Sequence, residues 1–155
     1  FCFLLISTNT IQKMLSLSKI FHFEMAHAIY GYSGACKDIH GHSYELHVSV
    51  CSDEEDTNYI PAPGLLIDFK DIKKLVTELI VNKMDHHLLL SQDFLNNNKT
   101  ISAAENLVIF EAEPTAENLI IFIRNLIKEH LPEHIRLTHL KLYETKDSYA
   151  EWCEK

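Results

Sequence analysis

Alternation of apolar and polar residues predicts two strands in the first third of the chain. The first runs from Lys19 to His27, and the second runs from about His42 to Cys51, after a loop that contains Gly31. Successive side chains of a strand point to opposite faces, so each of these strands has one apolar face. His27 ends the apolar face of the first strand, and His42 ends that of the second. The buried side of two adjacent strands is therefore expected to carry an imidazole at each strand end.

Helical periodicity replaces this alternation in two later segments. Asp68 can cap a first helix, whose apolar residues recur every three or four positions and which runs into Met84. Thr115 can cap a second helix, which closes at the pair Leu131-Pro132. The spacing therefore predicts two amphipathic helices in the middle of the chain.

The remaining segments are predicted to be loops and two further strands. Residues 52–64 and 91–106 show no clear period and are interpreted as loops, and Leu107–Phe110 is a short apolar piece that can be extended. Alternation returns in Ile135–Thr145 and Ser148–Trp152. The element order is strand, strand, helix, helix, strand, strand. It predicts an α+β fold, a four-stranded antiparallel sheet with two helices on one face.

Length and composition indicate a single globular domain. The chain has 155 residues, of which 46% are hydrophobic and 23% charged, and that length is sufficient for a substantial core. Residues 14–155 are interpreted as this domain, because Met14 is the first methionine and the strand pattern begins just after it. Residues 1–13 are expected to lie upstream of the true start or to be non-native.

Charge and cysteine usage narrow the classes of partner and location. The formal net charge of −8 argues against nucleic acid as a partner, because binding nucleic acid needs a basic surface. The apolar stretch 1–6 is too short to span a membrane and lacks the basic region of a signal peptide. Four cysteines without paired spacing indicate a reducing setting, so a cytoplasmic location is expected.

The run His40-Gly41-His42 is the strongest candidate for chemistry. Two residues of separation place both imidazoles on one side of an extended backbone. With His27 from the neighbouring strand, three imidazoles that leave one position open would form a catalytic zinc site. The alternative interpretation is a set of surface histidines near a turn.

Several other side chains are candidate catalytic groups, each with a structural alternative. Cys36, four residues before the histidine pair, is a candidate base whose thiolate a nearby dication would favour, or else a small buried residue. Asp85 and His86 can move protons together, or else be a capping carboxylate and a surface imidazole. His87 could replace His86 in that role.

Glu144 lies on a strand face that is otherwise apolar. A carboxylate there is costly unless it meets a donor array, such as the N–C–N edge of an amidine-like ligand. The alternative is a glutamate that reaches solvent at the strand end. Thr115 and Glu117 have an adequate structural explanation at a helix N-terminus and are kept as candidate substrate-binding residues.

Taken together, these segments resemble the 6-pyruvoyltetrahydropterin synthase / 6-carboxytetrahydropterin synthase family. The resemblance extends from about Lys19 to Trp152. Six segments carry it, in this order along the chain: Phe23-Glu24-Met25-Ala26-His27, Cys36-x-x-x-His40-Gly41-His42-Ser43-Tyr44, Gly64-Leu65-Leu66-Ile67-Asp68-Phe69, Met84-Asp85-His86, Pro114-Thr115-Ala116-Glu117-Asn118-Leu119, and Glu144-Thr145 with Tyr149-Ala150-Glu151-Trp152.

The resemblance implies a fold, an assembly and a set of roles. The fold would be the tunnelling fold, in which sheets of several subunits join into a barrel, usually in a hexamer with active sites at subunit interfaces. Zn²⁺ would be held by the three histidines already named. Cys36 would abstract a proton, Asp85 and His86 would form a second acid/base pair, and Glu144 would anchor the pterin's pyrimidine edge.

Spacing within one motif distinguishes the branches of this family. Three residues separate Cys36 from His40, as in the queuosine-pathway branch that the chain resembles, whereas the biopterin branch typically has five. The resemblance therefore implies conversion of 7,8-dihydroneopterin triphosphate to 6-carboxytetrahydropterin, acetaldehyde and triphosphate. The alternatives are a 6-pyruvoyltetrahydropterin synthase and a non-catalytic zinc- or pterin-binding module of the same fold.

Overall fold

Six strands form one mixed sheet in the computed structural model, which describes residues 15–52, 59–101 and 105–154. The 1–13 segment and its expected origin lie outside these residues. The sheet order is β4-β3-β1-β2-β5-β6. The strands are β1 (Ser16–His27), β2 (His40–Ser52), β3 (His87–Ser91), β4 (Leu107–Phe110), β5 (Ile135–Thr145) and β6 (Ser148–Cys153).

The α+β class is confirmed, but the expectation of a four-stranded antiparallel sheet is wrong. β1, β2, β5 and β6 do pair antiparallel, as expected. Beyond β1, however, β3 and β4 add two parallel strands. Leu88 and Leu90 face one hydrophobic cluster and Leu89 faces the other. A strand covered on both faces does not alternate, which is why the sequence pattern did not indicate β3.

The helical segments begin where the sequence indicates. Helix α1 (Phe69–Val76) is capped by Asp68, whose side chain accepts a hydrogen bond from the amide of Lys70. It continues through a π-helical segment (Thr77–Val81) into α2 (Asn82–Met84). Helix α4 (Ala116–His130) is capped by Thr115 and ends before Pro132, as predicted.

The predicted loop over residues 91–106 is partly wrong. Ser91 caps a short helix, α3 (Gln92–Asn97), by accepting a hydrogen bond from the amide of Phe94. A 3₁₀ turn (Lys99–Ile101) follows. Helix α3 packs through Phe94 and Leu95 on a small second cluster with Leu88 and Leu90. Six residues are too few for a helical period to be recognised in sequence.

The main hydrophobic core lies between the sheet and the long helices α1 and α4. It joins the inward faces of β1, β2 and β5 to apolar residues of both helices, which therefore cover the same face of the sheet. None of the helices in the described ranges is long and apolar enough to cross a bilayer. Because this core holds β1 rigidly against β2, side chains at the ends of these two strands have defined positions.

Candidate metal centre and active site

Three histidines converge where β1 ends and β2 begins. The antiparallel register places His27 directly opposite His40, with His42 two residues further along β2. One ring nitrogen of each histidine lies within 4.8 Å of the others. His27 is only 1% exposed, so the alternative of surface histidines does not hold for it. The predicted convergence of these imidazoles is present in the fold.

Backbone carbonyls determine which nitrogen of two of these rings is free. Nδ1 of His27 lies 2.6 Å from the carbonyl oxygen of Pro114, and Nδ1 of His40 lies 2.8 Å from that of Asp38. A carbonyl can only accept, so each Nδ1 is assigned a proton, and in the neutral ring each Nε2 then presents a lone pair. Second-shell carbonyls orient metal-bound histidines in the same way.

The two free nitrogens face each other at short range. Nε2 of His27 lies 3.2 Å from Nε2 of His40. Two lone pairs at this distance repel unless a cation lies between them. Zinc–nitrogen bonds of about 2.0–2.1 Å in a tetrahedral site place two ligand nitrogens roughly 3.3–3.4 Å apart. The observed separation therefore fits a bound metal ion.

His42 supplies the third nitrogen. Its Nε2 is buried and has no hydrogen-bond partner among the described residues, which is rare for a polar atom in a folded protein. Burial lowers the pKa of both His42 and His27, against the opposing effect of the Glu144 charge. Both rings are therefore held in the neutral form, which is the form that binds metals.

Glu144 lies beside the three histidines. Its Oε1 is 3.5 Å from Nε2 of His27 and 3.9 Å from Nε2 of His42. The hydroxyl of Tyr44 donates a hydrogen bond to the same oxygen at 3.3 Å. Tyr44 is 1% exposed, and its pKa is raised by burial first and by the Glu144 charge second. A protonated phenol therefore holds the carboxylate next to the metal centre.

Cys36 lies four residues before His40, in the turn that precedes β2. It belongs to a 3₁₀ turn (Ala35–Lys37) and is half-buried, and its carbonyl accepts a hydrogen bond from the amide of Ile29. Its thiol is close enough to Tyr44 to contribute to the raised pKa of that phenol. A catalytic role of Cys36 stays a prediction.

Asp85 and His86 lie apart from the three histidines. Asp85 Oδ1 accepts a hydrogen bond from the amide of Glu24 at 2.9 Å, and the amide of His86 donates to the carbonyl of Glu24 at 2.6 Å. Oδ2 of Asp85 is 3.8 Å from Nε2 of His86, which is too long for a hydrogen bond. Within one chain the structure does not bring this pair to the metal centre.

His86 instead lines an open cavity of about 330 Å³. Glu24 and Ser43 line its wall, and both lie on the faces of β1 and β2 that point away from the core. Ser43 donates a hydrogen bond to Glu24 Oε2 at 2.7 Å. His42 and His87 also border this cavity. Nδ1 of His87 lies 2.7 Å from the Asp85 carbonyl, which restrains that ring.

Thr115 and Glu117 occupy the first turn of α4. The Thr115 hydroxyl accepts a hydrogen bond from the amide of Asn118 at 3.3 Å, which is its capping role, and Glu117 is exposed. The preceding residue, Pro114, provides the carbonyl that orients His27. A role of Thr115 or Glu117 in substrate binding stays a prediction.

Sequence reasoning missed two contributors to this geometry. Tyr44 lies among the apolar residues of β2, and Pro114 directly precedes the Thr115 cap of α4. The residue that accepts the Tyr44 hydrogen bond is 100 residues away in sequence, and the histidine that contacts the Pro114 carbonyl is 87 residues away. Neither contact has a local sequence signal.

Comparison with known proteins identifies the family. Residues 16–155 match the family model described as 6-pyruvoyl tetrahydropterin synthase. The chain belongs to this family. The match covers the whole described sheet and both long helices, and the three converging histidines could bind a metal ion.

Curated relatives of this 6-pyruvoyl tetrahydropterin synthase family member carry a more specific name. The 6-carboxy-5,6,7,8-tetrahydropterin synthase of Haemophilus influenzae is 32% identical over 147 residues, covering 91% of this chain and 100% of the relative. The protein of the same name from Rickettsia typhi is 32% identical over 142 residues, covering 89% and 99%.

Solved structures support the family's fold. An uncharacterized protein from Wolinella succinogenes aligns with a TM-score of 0.70 at 16% identity, over 92% of this chain and 99% of that one. The 6-pyruvoyl tetrahydropterin synthase of Caenorhabditis elegans aligns with a TM-score of 0.67 at 18% identity, over 93% and 98%. At these identities the likeness shows the fold alone.

Proposed function

We propose that this chain is a zinc-dependent 6-carboxy-5,6,7,8-tetrahydropterin synthase of queuosine and 7-deazaguanine biosynthesis. It would convert 7,8-dihydroneopterin triphosphate and water to 6-carboxy-5,6,7,8-tetrahydropterin, acetaldehyde and triphosphate. The observation that carries the proposal is the pair of facing Nε2 atoms of His27 and His40, 3.2 Å apart beside Glu144. The names of the curated relatives and the three-residue gap between Cys36 and His40 support the carboxy product over the pyruvoyl one.

The three histidines would hold the metal ion through Nε2. When bound, Zn²⁺ would act as a Lewis acid that orients the side-chain oxygens of the substrate and stabilises negative charge on them. Three imidazoles with an open fourth position are the donor set of catalytic zinc sites. Glu144 would accept two hydrogen bonds from the N–C–N edge of the pterin, while its Oε1 accepts a further one from the Tyr44 hydroxyl.

Proton transfers would be divided between the two sides of the substrate side chain. Cys36 would remove a proton on the side of the metal centre, and His86, supported by Asp85, would donate or accept protons on the other side. Triphosphate leaves with its bridging oxygen. The two side-chain hydroxyl oxygens and one water oxygen then account for the carboxyl group and the aldehyde. The two electrons that the side-chain carbons lose reduce the dihydropterin ring to the tetrahydropterin, so no external reductant is needed.

A second copy of the chain would complete the active site. His86 lines a cavity whose wall contains the outward-facing Glu24 and Ser43, and Asp85 accepts a hydrogen bond from the Glu24 amide beside it. A second copy of the chain would therefore be needed to bring this pair to a substrate held at the three histidines. A homo-oligomer, by resemblance a hexamer of joined sheets, would provide this arrangement. The substrate is a small molecule, and the proposed location is the cytoplasm, with neither nucleic acid nor membrane as partner.

Product identification tests the proposal. Metal-loaded protein is incubated with 7,8-dihydroneopterin triphosphate, and the pterin is identified by mass spectrometry while acetaldehyde is measured separately. Acetaldehyde in equal amount to 6-carboxytetrahydropterin is expected. A 6-pyruvoyl product without acetaldehyde would assign the chain to the other activity of its family, and binding without turnover would assign it to a non-catalytic module.

The Cys36→Ala variant tests the assigned base. It is expected to retain the fold and the metal, since Cys36 is not among the converging ligands, and to lose turnover. Full activity in this variant would refute the role of Cys36 and leave the identity of the product untouched.

A further inference from the structure

His86 has a backbone conformation that its side chain does not favour. Its φ is +58°, and it is the one non-glycine residue with positive φ in the described ranges. The left-handed region costs an L-residue of ordinary side chain roughly 1–2 kcal/mol. Such a conformation persists only where surrounding contacts impose it, and it is concentrated at functional sites.

Two neighbours impose this conformation, one on each side of the residue. The carbonyl of Glu24 accepts a hydrogen bond from the His86 amide at 2.6 Å. The side-chain Nδ2 of Asn106 donates to the His86 carbonyl at 2.8 Å. The carbonyl of Asn106 in turn accepts from the amide of Leu88 at 3.0 Å. Asn106 therefore spans His86 to Leu88 with its side chain and its backbone together.

The effect of these contacts is to direct the imidazole outward. The His86 side chain is 81% exposed and, with Asn106, lines the cavity that also contains Glu24 and Ser43. A right-handed or extended φ at His86 would turn its Cα–Cβ bond away from the present direction. The position and direction of the His86 imidazole therefore depend on the His86 carbonyl group, to which Asn106 donates a hydrogen bond.

We infer that Asn106 is a positioning residue for His86, an assignment that rests on the proposed function. It touches the backbone of His86 and would act on the reaction only through that residue. Orientation of this kind contributes substantially to rate, because small displacements of a proton-transfer group lower it steeply. Asn106 comes directly before β4, in the segment that sequence reasoning took for a loop.

The test compares Asn106→Ala with Asn98→Ala. Asn98 is a matched control, since its Nδ2 also donates to a backbone carbonyl, that of Phe94 at 3.0 Å, in the same part of the chain but away from His86. Asn106→Ala is expected to lower kcat about tenfold to a hundredfold and to change the pH profile of kcat, with KM and metal content unchanged. Asn98→Ala is expected to keep the wild-type kcat and pH profile.

A double-mutant cycle separates positioning from general stabilisation. If Asn106 acts through His86, adding Asn106→Ala to His86→Ala causes no further loss of kcat. The inference is overturned if Asn106→Ala lowers kcat by the same factor in the wild type and in His86→Ala, or if Asn106→Ala keeps the wild-type kcat. If the alanine variant does not fold, Asn106→Asp keeps the side-chain shape while replacing the donor, and the same outcomes apply to it.

The cycle also distinguishes this inference from the proposed function. Loss of turnover in His86→Ala without loss in Asn106→Ala overturns the positioning role alone. Full turnover in His86→Ala overturns the role of His86 in the proposed function, and the inference with it. Retention of His86 φ near +58° in a crystal structure of Asn106→Ala would also overturn the inference.

Discussion

Nε2 of His27 and Nε2 of His40 lie 3.2 Å apart, although the other nitrogen of each ring already faces a carbonyl. Neither ring can relieve this contact by changing tautomer without losing its carbonyl partner. A cation between the two nitrogens converts the repulsion into two bonds. Folding of β1 against β2 therefore brings together three histidines that could hold a metal ion, and metal binding should stabilise the folded protein.

Metal stabilisation is the first expected outcome. Zn²⁺ at one hundred times its Kd should raise the free energy of unfolding by about 2.7 kcal/mol relative to chelator-treated protein, measured by denaturant titration. His42→Ala should lose most of this increment, because it removes one of the three ligands. His139→Ala is the matched control, since His139 pairs with Glu151 outside the centre. An equal increment in both variants would contradict the assignment of His42 as a ligand.

Removal of one hydroxyl tests the link between Tyr44 and Glu144. Tyr44→Phe keeps the ring that stacks on Phe23 at 5.2 Å but removes the hydrogen bond to the carboxylate. A bond to a charged group contributes about 1.5 kcal/mol or more, so kcat/KM should fall about tenfold, as measured by steady-state kinetics. Tyr143→Phe, on the opposite face of β5, should leave kcat/KM unchanged. Unaltered kcat/KM in Tyr44→Phe would show that Glu144 needs no support from this phenol.

The left-handed φ of His86 predicts a difference in stability between two variants that both lose activity. His86→Gly removes the side chain that disfavours φ +58°, so it should be more stable than His86→Ala by about 1 kcal/mol. Thermal or denaturant unfolding measures this difference. Both variants should lose turnover, because neither has an imidazole. If alanine proves as stable as glycine, the left-handed conformation is not strained in solution.

Glu45 provides a pH-dependent prediction on the face of the sheet that lies away from the three histidines. The hydrogen bond from His47 at 2.6 Å lowers the pKa of the Glu45 carboxyl, with smaller contributions from the charges of His47 and His22. Because the pKa of Glu45 is lower in the folded state than its ordinary value of 4.5, the ionised carboxylate stabilises the folded state at pH values above 4.5. This stabilisation is lost as the pH falls through the pKa of the folded state. NMR titration of the Glu45 carboxyl should give a pKa below 4.5 in the wild type and a higher one in His47→Phe. Identical titrations would contradict the hydrogen bond.

Much of the fold was predictable because it depends on local pattern. Strict alternation identified β1, β2, β5 and β6, and capping residues identified the starts of α1 and α4. β3 was missed because a leucine run buried on both faces does not alternate. Its parallel pairing with β1 was equally hidden, since register between distant segments is determined by tertiary packing.

The candidate site also has features that local sequence predicts and features that only tertiary packing determines. The residue types that can bind a metal, and the strand ends that carry His27, His40 and His42, were determined by the sequence itself, because side-chain direction in a strand follows from position. Tertiary structure alone decided four other features of the site. These are the facing Nε2 atoms of His27 and His40, the hydrogen bond from Tyr44 to Glu144, the position of Asp85 and His86 beside Glu24, and the left-handed φ of His86. Each of these depends on a hydrogen bond or contact between segments far apart in the chain, and such contacts are set by how the whole core packs.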